Sequence, residues 1–385
     1  MPEHAICSPS SAHRWLICTP SARLELKYPD TQSLSAAEGT FAHGMAELKL
    51  RHYLDEVTDK DYEAKFKRLK EDPFYSPALV EYVDEYVNAV VEMYSEAQAC
   101  DEEAALMLEF KLDFSEYVQD GFGRSDAVIF ADGIMSVIDF KYGRNVKVEA
   151  KDNPQLRLYA LGAYSELSFI YDIDAVNVVI IQPRNGGLSS ELIRISDLLA
   201  WGESIKPKAQ LAYDGLGQPE PGEHCKFCKA APCCKEFAEY NIQKCQGCKA
   251  PEELTSEELV DVLNAADSIT GWLNQVKEYA LVESRDHGRH WPGMKLVEGR
   301  SCSKYKDEEQ IAGVLHGAGF DDVDIYKPKS LIGITAMKKL LGPKKFSVYL
   351  NDYLVKPPGK PTLVPESDKR PEWNSPKEDF EEIPF

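Results

Sequence analysis

Gly123-Arg124-Ser125-Asp126-Ala127-Val128-Ile129-Phe130, the turn Ala131-Asp132-Gly133, and Ile134-Met135-Ser136-Val137-Ile138-Asp139-Phe140-Lys141 decide the fold of this chain. The two runs predict adjacent strands joined by a tight hairpin. Side chains alternate along a strand with period 2, so Asp139 and Lys141 share one face of the second strand. The hairpin sets Asp126, near the start of the first strand, opposite the end of the second. Two carboxylates and an ammonium then converge. That is the minimum equipment for metal-assisted phosphodiester hydrolysis: carboxylates hold a hard divalent cation, and a lysine positions or helps deprotonate the attacking water.

Charged residues flank strands everywhere, so an Asp-x-Lys triplet takes its meaning from context. Upstream, Glu38-Gly39-Thr40-Phe41-Ala42-His43-Gly44 opens a helical stretch in which His43 and Glu47 lie one turn apart on one face. Downstream, Asn153-Pro154-Gln155-Leu156-Arg157-Leu158-Tyr159 starts another helix, with Gln155 and Tyr159 at the same spacing. Glu109 lies at the end of a strand-like run from Ala104 to Phe110, just before the hairpin.

In this order, Gly39-Thr40-x-x-His43, Gly123-x-x-Asp126, Asp139-x-Lys141 and Gln155-x-x-x-Tyr159 resemble the RecB-like branch of the PD-(D/E)xK nuclease superfamily, over roughly residues 8 to 240. The resemblance implies a restriction-endonuclease-like α/β core with a mixed sheet. It implies a Mg or Mn ion held by His43, Asp126, Asp139 and the Phe140 carbonyl, Lys141 as the catalytic lysine, and Gln155 and Tyr159 as residues that organise the site and meet DNA. Glu109 matches no fixed position of that family as securely, and it is read, with Glu47, as an auxiliary acid.

The chain holds ten cysteines. It has no apolar signal-peptide core and no apolar stretch of membrane-spanning length, which points to a reducing, cytoplasmic setting where clustered cysteines favour metal over disulfides. Two ligand sets are open. Cys225, Cys228 and Cys234 form C-x2-C-x5-C and need one remote thiolate, for which Cys18 is the candidate; Cys233 could replace Cys234. One early cysteine with a late triad resembles the iron-sulfur subgroup of these nucleases, with CRISPR-associated and AddB-type members, and four thiolates suit a 4Fe-4S cluster. Such a cluster would close a large loop between the chain's start and the end of the nuclease domain. Alternatively Cys225, Cys228, Cys245 and Cys248 make C-x2-C-x16-C-x2-C, the spacing of a zinc ribbon. Cys7, Cys100 and Cys302 read as ordinary thiols, and His13 and His224 as neighbours of the metal module rather than ligands.

A formal net charge of −20 argues against indiscriminate DNA binding, since phosphate contacts rest on Lys and Arg. A nuclease with this charge needs a locally basic track, and Arg144, Lys147, Lys151 and Arg157 lie beside the proposed site. Taken one by one, such residues are more often solvated surface charges. No Gly-x-x-x-x-Gly-Lys-Ser/Thr loop occurs, so any helicase motor would come from a partner.

At 385 residues the chain has room for two to three domains. Residues 8–26 predict a short helix capped by Ser10 or Ser11, and 41–56 and 76–98 predict longer ones. Strands at 105–114, 123–131 and 134–141, a helix at 153–167 and a strand from Val176 to Gln182 give β-β-β-α-β. The cysteine module closes this domain near 250. Thr255-Ser256-Glu257-Glu258 caps a helix to Val262 or beyond, and Ala265 to Glu283 reads as a second. A mainly helical α+β accessory domain is expected over 251–365, with helices at 307–318 and 334–341, and a mobile, Pro-punctuated tail over 366–385. This arrangement resembles phage and prophage proteins that join a RecB-like nuclease to an extension. The expectation is a metal-dependent DNA exonuclease working from linear ends in phage replication or recombination, in the host cytoplasm. A single-strand-binding or annealing protein or a helicase would be its partner, and it could be an oligomer. The alternatives are a non-catalytic scaffold that binds DNA ends or junctions and a zinc-ribbon interaction protein.

Overall fold

A computed structural model of the chain describes residues 5–29, 34–144, 146–246 and 255–295, together with His316, Gly342 and Phe346, leaving out the side chains of 244–246. Two compact units divide the chain, one of residues 1–246 with 269–300, the other of 247–268 with 301–385. The expected helices at 307–318 and 334–341 and the tail fall almost wholly outside the described residues.

The first unit is built on a five-stranded mixed sheet in the order β1 (Ala105–Asp113), β2 (Phe122–Ala131), β3 (Ile134–Phe140), β4 (Ala175–Gln182) and β5 (Gly187–Arg194). Only the β3–β4 pair is parallel. A parallel pair needs a crossover, supplied here by the helix Pro154–Leu167. The mixed α/β sheet is therefore as the sequence leads one to expect.

Alternation along the strands divides the core into two layers. Val128, Phe130, Met135, Val137, Val178 and Ile180 pack on one face, beneath Leu156 and Leu161. Ala127, Ile129, Ile138, Phe140, Val179 and Ile181 pack on the other, against Met45, Val83 and Tyr86. With helices on both faces the sheet has no solvent side, so its central strands are apolar on both.

In chain order the helices are α1 (Ala12–Trp15), α2 (Ser21–Leu24), α3 (Leu34–Tyr53), α4 (Asp59–Leu69), α5 (Pro77–Cys100), α6 (Pro154–Leu167), α7 (Ile195–Asp214), α8 (Lys235–Gln246) and α9 (Ser256–Asp286). Helix α5 begins at Ser76, whose hydroxyl accepts from Leu79 N, and buries Leu79, Val83, Tyr86 and Val90 at helical spacing.

Several boundaries differ from the sequence expectation. Helix α3 starts at Leu34, running through Gly39, which reads locally as a breaker. Helix α4 has no fully buried residue; its apolar stripe of Tyr62, Phe66 and Leu69 is only partly buried, with Phe66 and Leu69 against the core, and its start is marked by the Thr58 cap, which accepts from Asp61 N. Strand β5 reads Gly-Leu-Ser-Ser-Glu-Leu-Ile-Arg and lies at the sheet edge, where polar residues are the rule. Helix α7 contains Pro207, a residue that in sequence argues for a break. Residues 8–26 form two one-turn helices with 3-10 turns, and neither Ser10 nor Ser11 caps through its side chain; the Ser11 hydroxyl instead donates to Ser8 O. At α9 the expected capping box forms, Thr255 Oγ1 accepting from Glu258 N and Glu258 Oε2 from Thr255 N, but the helix is continuous where two were expected. Among the described residues no helix is long and apolar enough to cross a membrane.

Candidate active site

Strand pairing creates the site where it stops. The β2–β3 ladder ends at Ala127↔Ile138, which leaves Asp126 and Asp139 level with one another one step beyond. Side chains of β2 take over the backbone's partners there. The Ser125 hydroxyl donates to Ile138 O at 3.3 Å, and the Phe140 N–H donates to Asp126 Oδ2 at 2.7 Å. Asp126 is thus fixed by β3's backbone, while its other oxygen meets His43 Nδ1 at 2.9 Å. Helix α3 delivers that imidazole from the opposite face of the sheet, over the ring of Phe140 with centroids 5.0 Å apart.

From the other side α6 brings Gln155 and Tyr159. Asn153 caps this helix, its carboxamide oxygen accepting from Gln155 N and Leu156 N, and Pro154 follows at the first turn. Lys141 Nζ lies 3.0 Å from Asp139 Oδ2 and donates to Gln155 Oε1 at 3.1 Å. An ammonium has only donors, so the amide's orientation is set: its nitrogen donates to Asp139 Oδ1 at 3.1 Å and to the Tyr159 hydroxyl at 3.2 Å. Gly123 makes room for this helix, because a Cβ there would lie 2.9 Å from the Tyr159 ring. The structure therefore brings His43, Asp126, Asp139, Lys141, Gln155 and Tyr159 into one connected set.

Burial and charge set the protonation preferences. Asp139 is only 4 % exposed, and that burial raises its pKa against the opposing pull of Lys141; the nearby Asp126 charge adds to the rise. For His43 burial disfavours the imidazolium, but the Asp126 charge and hydrogen bond, helped by Asp139, outweigh it and raise the pKa. Burial pushes the Tyr159 phenol far up, so it keeps its proton.

Glu109 stands level with Asp126 in the β1–β2 register, between Leu108↔Ala127 and Phe110↔Ser125. Its φ of +50° is left-handed, a conformation that costs a non-glycine residue about 1–3 kcal/mol and concentrates at functional sites. Burial, then Asp126 and Glu47, raise its pKa, while Arg124 Nη1 at 3.3 Å opposes the rise. Glu47 itself accepts from Arg51 Nε at 2.7 Å.

Of the donor set, the two carboxylates suit a hard divalent cation, while the imidazole is a borderline donor that such a cation accepts as a minority ligand. Asp139 Oδ2 is buried and accepts no hydrogen bond of good geometry, its near partner being the Lys141 ammonium. The donors are closed upon each other through the His43–Asp126 bond, and among the described residues no three His, Cys, Asp or Glu side chains are already gathered round a cation position.

The expected basic track is divided. Arg157 is engaged by Asp152 at 2.7 Å and Glu191 at 3.3 Å and lies over the Trp201 ring. Lys147 pairs with Glu149. Arg144 and Lys151 are exposed. Sequence reading missed Gln182, the buried residue that organises this loop: its amide donates to Gly143 O at 2.6 Å and Val146 O at 2.9 Å and accepts from Val148 N at 3.0 Å. A glutamine ending an apolar central strand was the available signal. Arg184, over the rings of Tyr142 and Tyr82 and 3.6 Å from Glu38, had no local signal.

The cysteine module lies in the same unit. Cys225 packs with Cys228 and Cys234 in one small cluster, and the electrostatic interaction of Cys18 with Cys225 and Cys234 puts the early cysteine in the neighbourhood of the late triad. Burial raises all three late thiols, Cys228 to about 12 with help from Glu25. Arg14 and Glu25 already join the two segments: they pair at 2.5 Å, Arg14 Nη1 donates to Phe227 O at 3.1 Å and Glu25 Oε1 accepts from Lys229 N at 2.8 Å. His13 meets the Phe227 ring edge-on, and His224 Nε2 lies 2.9 Å from Glu220 O. Cys248 and the side chain of Cys245 lie outside the described residues.

A family model described as protein of unknown function (DUF2800) matches residues 4–371. The chain belongs to this family. Among solved structures, this DUF2800 chain is similar to the crystal structure of SSO0001, at 19% identity and a TM-score of 0.25, over 50% of this chain and 95% of that one. It is also similar to a protein titled "Putative exonuclease" from Eubacterium rectale, at 10% identity and a TM-score of 0.31, over 63% of this chain and 85% of that one.

Proposed function

We propose that this DUF2800 chain is a divalent-metal-dependent DNA nuclease of the RecB-like PD-(D/E)xK type, an exonuclease that enters at linear DNA ends. The observation that carries the proposal is the connected set from three separate parts of the chain: His43 on α3, Asp126, Asp139 and Lys141 on the β2–β3 hairpin, and Gln155 and Tyr159 on α6. A purely structural role does not require two carboxylates, an imidazole and an ammonium at the open end of a strand pair.

His43, Asp126, Asp139 and the Phe140 carbonyl would hold Mg or Mn. When bound, that ion supplies Lewis-acid polarisation of the phosphodiester and a lowered pKa for the attacking water. Lys141, held between Asp139 and Gln155, orients the water and stabilises charge developing on the phosphoryl oxygens. Gln155 fixes both Lys141 and Asp139. Tyr159 keeps its proton and can donate it to the strand. Cys18, Cys225, Cys228 and Cys234 would hold a 4Fe-4S cluster that adds to the Arg14–Glu25 link; structural zinc is the alternative. Residues 251–365 would serve as an accessory domain that docks DNA or a helicase or annealing partner in phage replication or recombination in the bacterial cytoplasm.

The test is degradation of end-labelled single- and double-stranded DNA by anaerobically purified protein with Mg, Mn or EDTA, beside Asp139→Ala and Lys141→Ala. Metal-dependent loss of label in the wild type only is the expected result. The rival reading, a DNA-end binder that keeps the scaffold without the chemistry, draws on the donors being closed upon each other. Binding without cleavage under every metal condition would favour it.

A further inference from the structure

Beyond the acidic centre, α3 continues into an open cavity of about 400 Å³ shared with α4. Gly44, Glu47, Leu48 and Arg51 line it from α3, and Lys65 and Arg68 from α4. Its near end lies next to the centre along α3, since Gly44, which lines it, follows His43.

Gly44 has no packing role. It is exposed in the middle of a 20-residue helix, and a Cβ built there meets nothing within 4 Å. Glycine at such a position costs about 1 kcal/mol relative to alanine. What it provides is bare backbone beside His43, where another chain can approach closely. The charges along the cavity are unequally committed. Arg51 is held by Glu47 and by Glu56 at 2.5 Å, so its charge is committed to those two carboxylates. Lys65 and Arg68, one turn apart and exposed, carry no ion pair among the described residues. In a chain of net charge −20, a concave cationic patch abutting an acidic centre is where an extended polyanion can lie.

We infer that this α3–α4 cavity holds the sugar-phosphate backbone of the nucleic-acid strand next to the attacked phosphate, with Gly44 as the point of close approach and Lys65 and Arg68 as phosphate contacts. The inference rests on the nuclease reading and adds the strand's path to it. Phosphate contacts position a strand without reading its sequence, so the cavity takes any sequence.

The test is fluorescence anisotropy of a fluorescein-labelled single-stranded oligonucleotide with full-length protein in EDTA, over a range of salt. Wild type is compared with Lys65→Gln/Arg68→Gln, with Gly44→Leu, which fills the cavity without changing charge, and with Lys206→Gln as a distant control. Melting curves verify folding of each. Two lost phosphate contacts lower the slope of log K against log salt by about 1.4. Gly44→Leu should weaken binding at least about tenfold with its slope little changed, and the control should bind as wild type. Wild-type binding undiminished in both cavity variants would overturn this inference alone. Absence of binding by the wild type would overturn it together with the nuclease reading.

Discussion

Gln155 donates to Asp139 Oδ1 at 3.1 Å while its amide oxygen accepts from Lys141 at the same distance. One neutral amide therefore sets the spacing between the acid and the cation of the Asp-x-Lys pair. Gln155→Ala leaves both side chains in place but unguided, and loss of such a supporting contact lowers activity about 10–100-fold. Gln155→Glu should be worse, because it sets a carboxylate against Asp139. DNA degradation rates at saturating Mg check this, and an unaltered rate in Gln155→Ala with a native melting curve would remove Gln155 from the machinery.

His43 gives the metal-free protein a signed pH dependence. Its pKa is raised above 6.5 in the fold by Asp126 and Asp139 despite burial. The extra stability is therefore fully present below pH 6.5 and is lost as pH rises through the raised value. His13 and His224 have pKa values lowered, chiefly by burial, so their effect falls below 6.5 and has the opposite slope. Denaturant unfolding in EDTA should show stability falling on the alkaline side of 6.5 in wild type, and a flatter profile there in His43→Gln.

Arg14 and Glu25 tie the N-terminal segment to the cysteine module without any metal. Their side chains are 9 % and 11 % exposed, and each also bonds to backbone in residues 227–229. Breaking a buried pair from one side strands the other charge, at about 3–5 kcal/mol. Arg14→Met should lose stability of that order, and Arg14→Met/Glu25→Met should regain part of it. Equal losses in the single and double variants would mean that the pair's value lies in its backbone contacts alone.

Gln182 fixes the loop that follows Lys141 through three backbone contacts. Gln182→Leu leaves the Gly143 and Val146 carbonyls and the Val148 N–H without their partner, at about 1–3 kcal/mol for each unsatisfied group that stays buried. The expected outcome is a lower melting temperature and faster proteolysis within 143–150. Proteolysis as slow as in wild type would show that the loop is held by other means.

The hairpin and α6 were legible because each rests on local pattern: period 2 with a tight turn in one, the Asn153-Pro154 start in the other. Asp126, Asp139, Lys141, Gln155 and Tyr159 stand together because these elements are neighbours in sequence and in space. Arg14 with Phe227, Gln182 with Gly143 and Arg184 with Glu38 were not legible, since each contact spans a long stretch of chain and neither partner's local sequence hints at the other. The left-handed backbone of Glu109 was hidden for another reason. A glutamate in a strand pattern predicts ordinary β geometry, and only the ladder gap opposite Asp126 displays the departure.

That departure yields a separable prediction. Glu109→Gly removes the left-handed penalty, of about 1–3 kcal/mol, together with a carboxylate pressed against Asp126 and Glu47. The ion pair it forfeits, with an Arg124 side chain that is 56 % exposed, contributes little. Glu109→Gly should therefore melt higher than wild type, whereas Glu109→Gln keeps the strained backbone and gains only the relief of charge. If Glu109 serves the chemistry, both variants should lose DNA cleavage despite equal or greater stability, which is the signature of strain retained for activity. A Glu109→Gly protein less stable than wild type would show that the fold, and not the site, demands glutamate there.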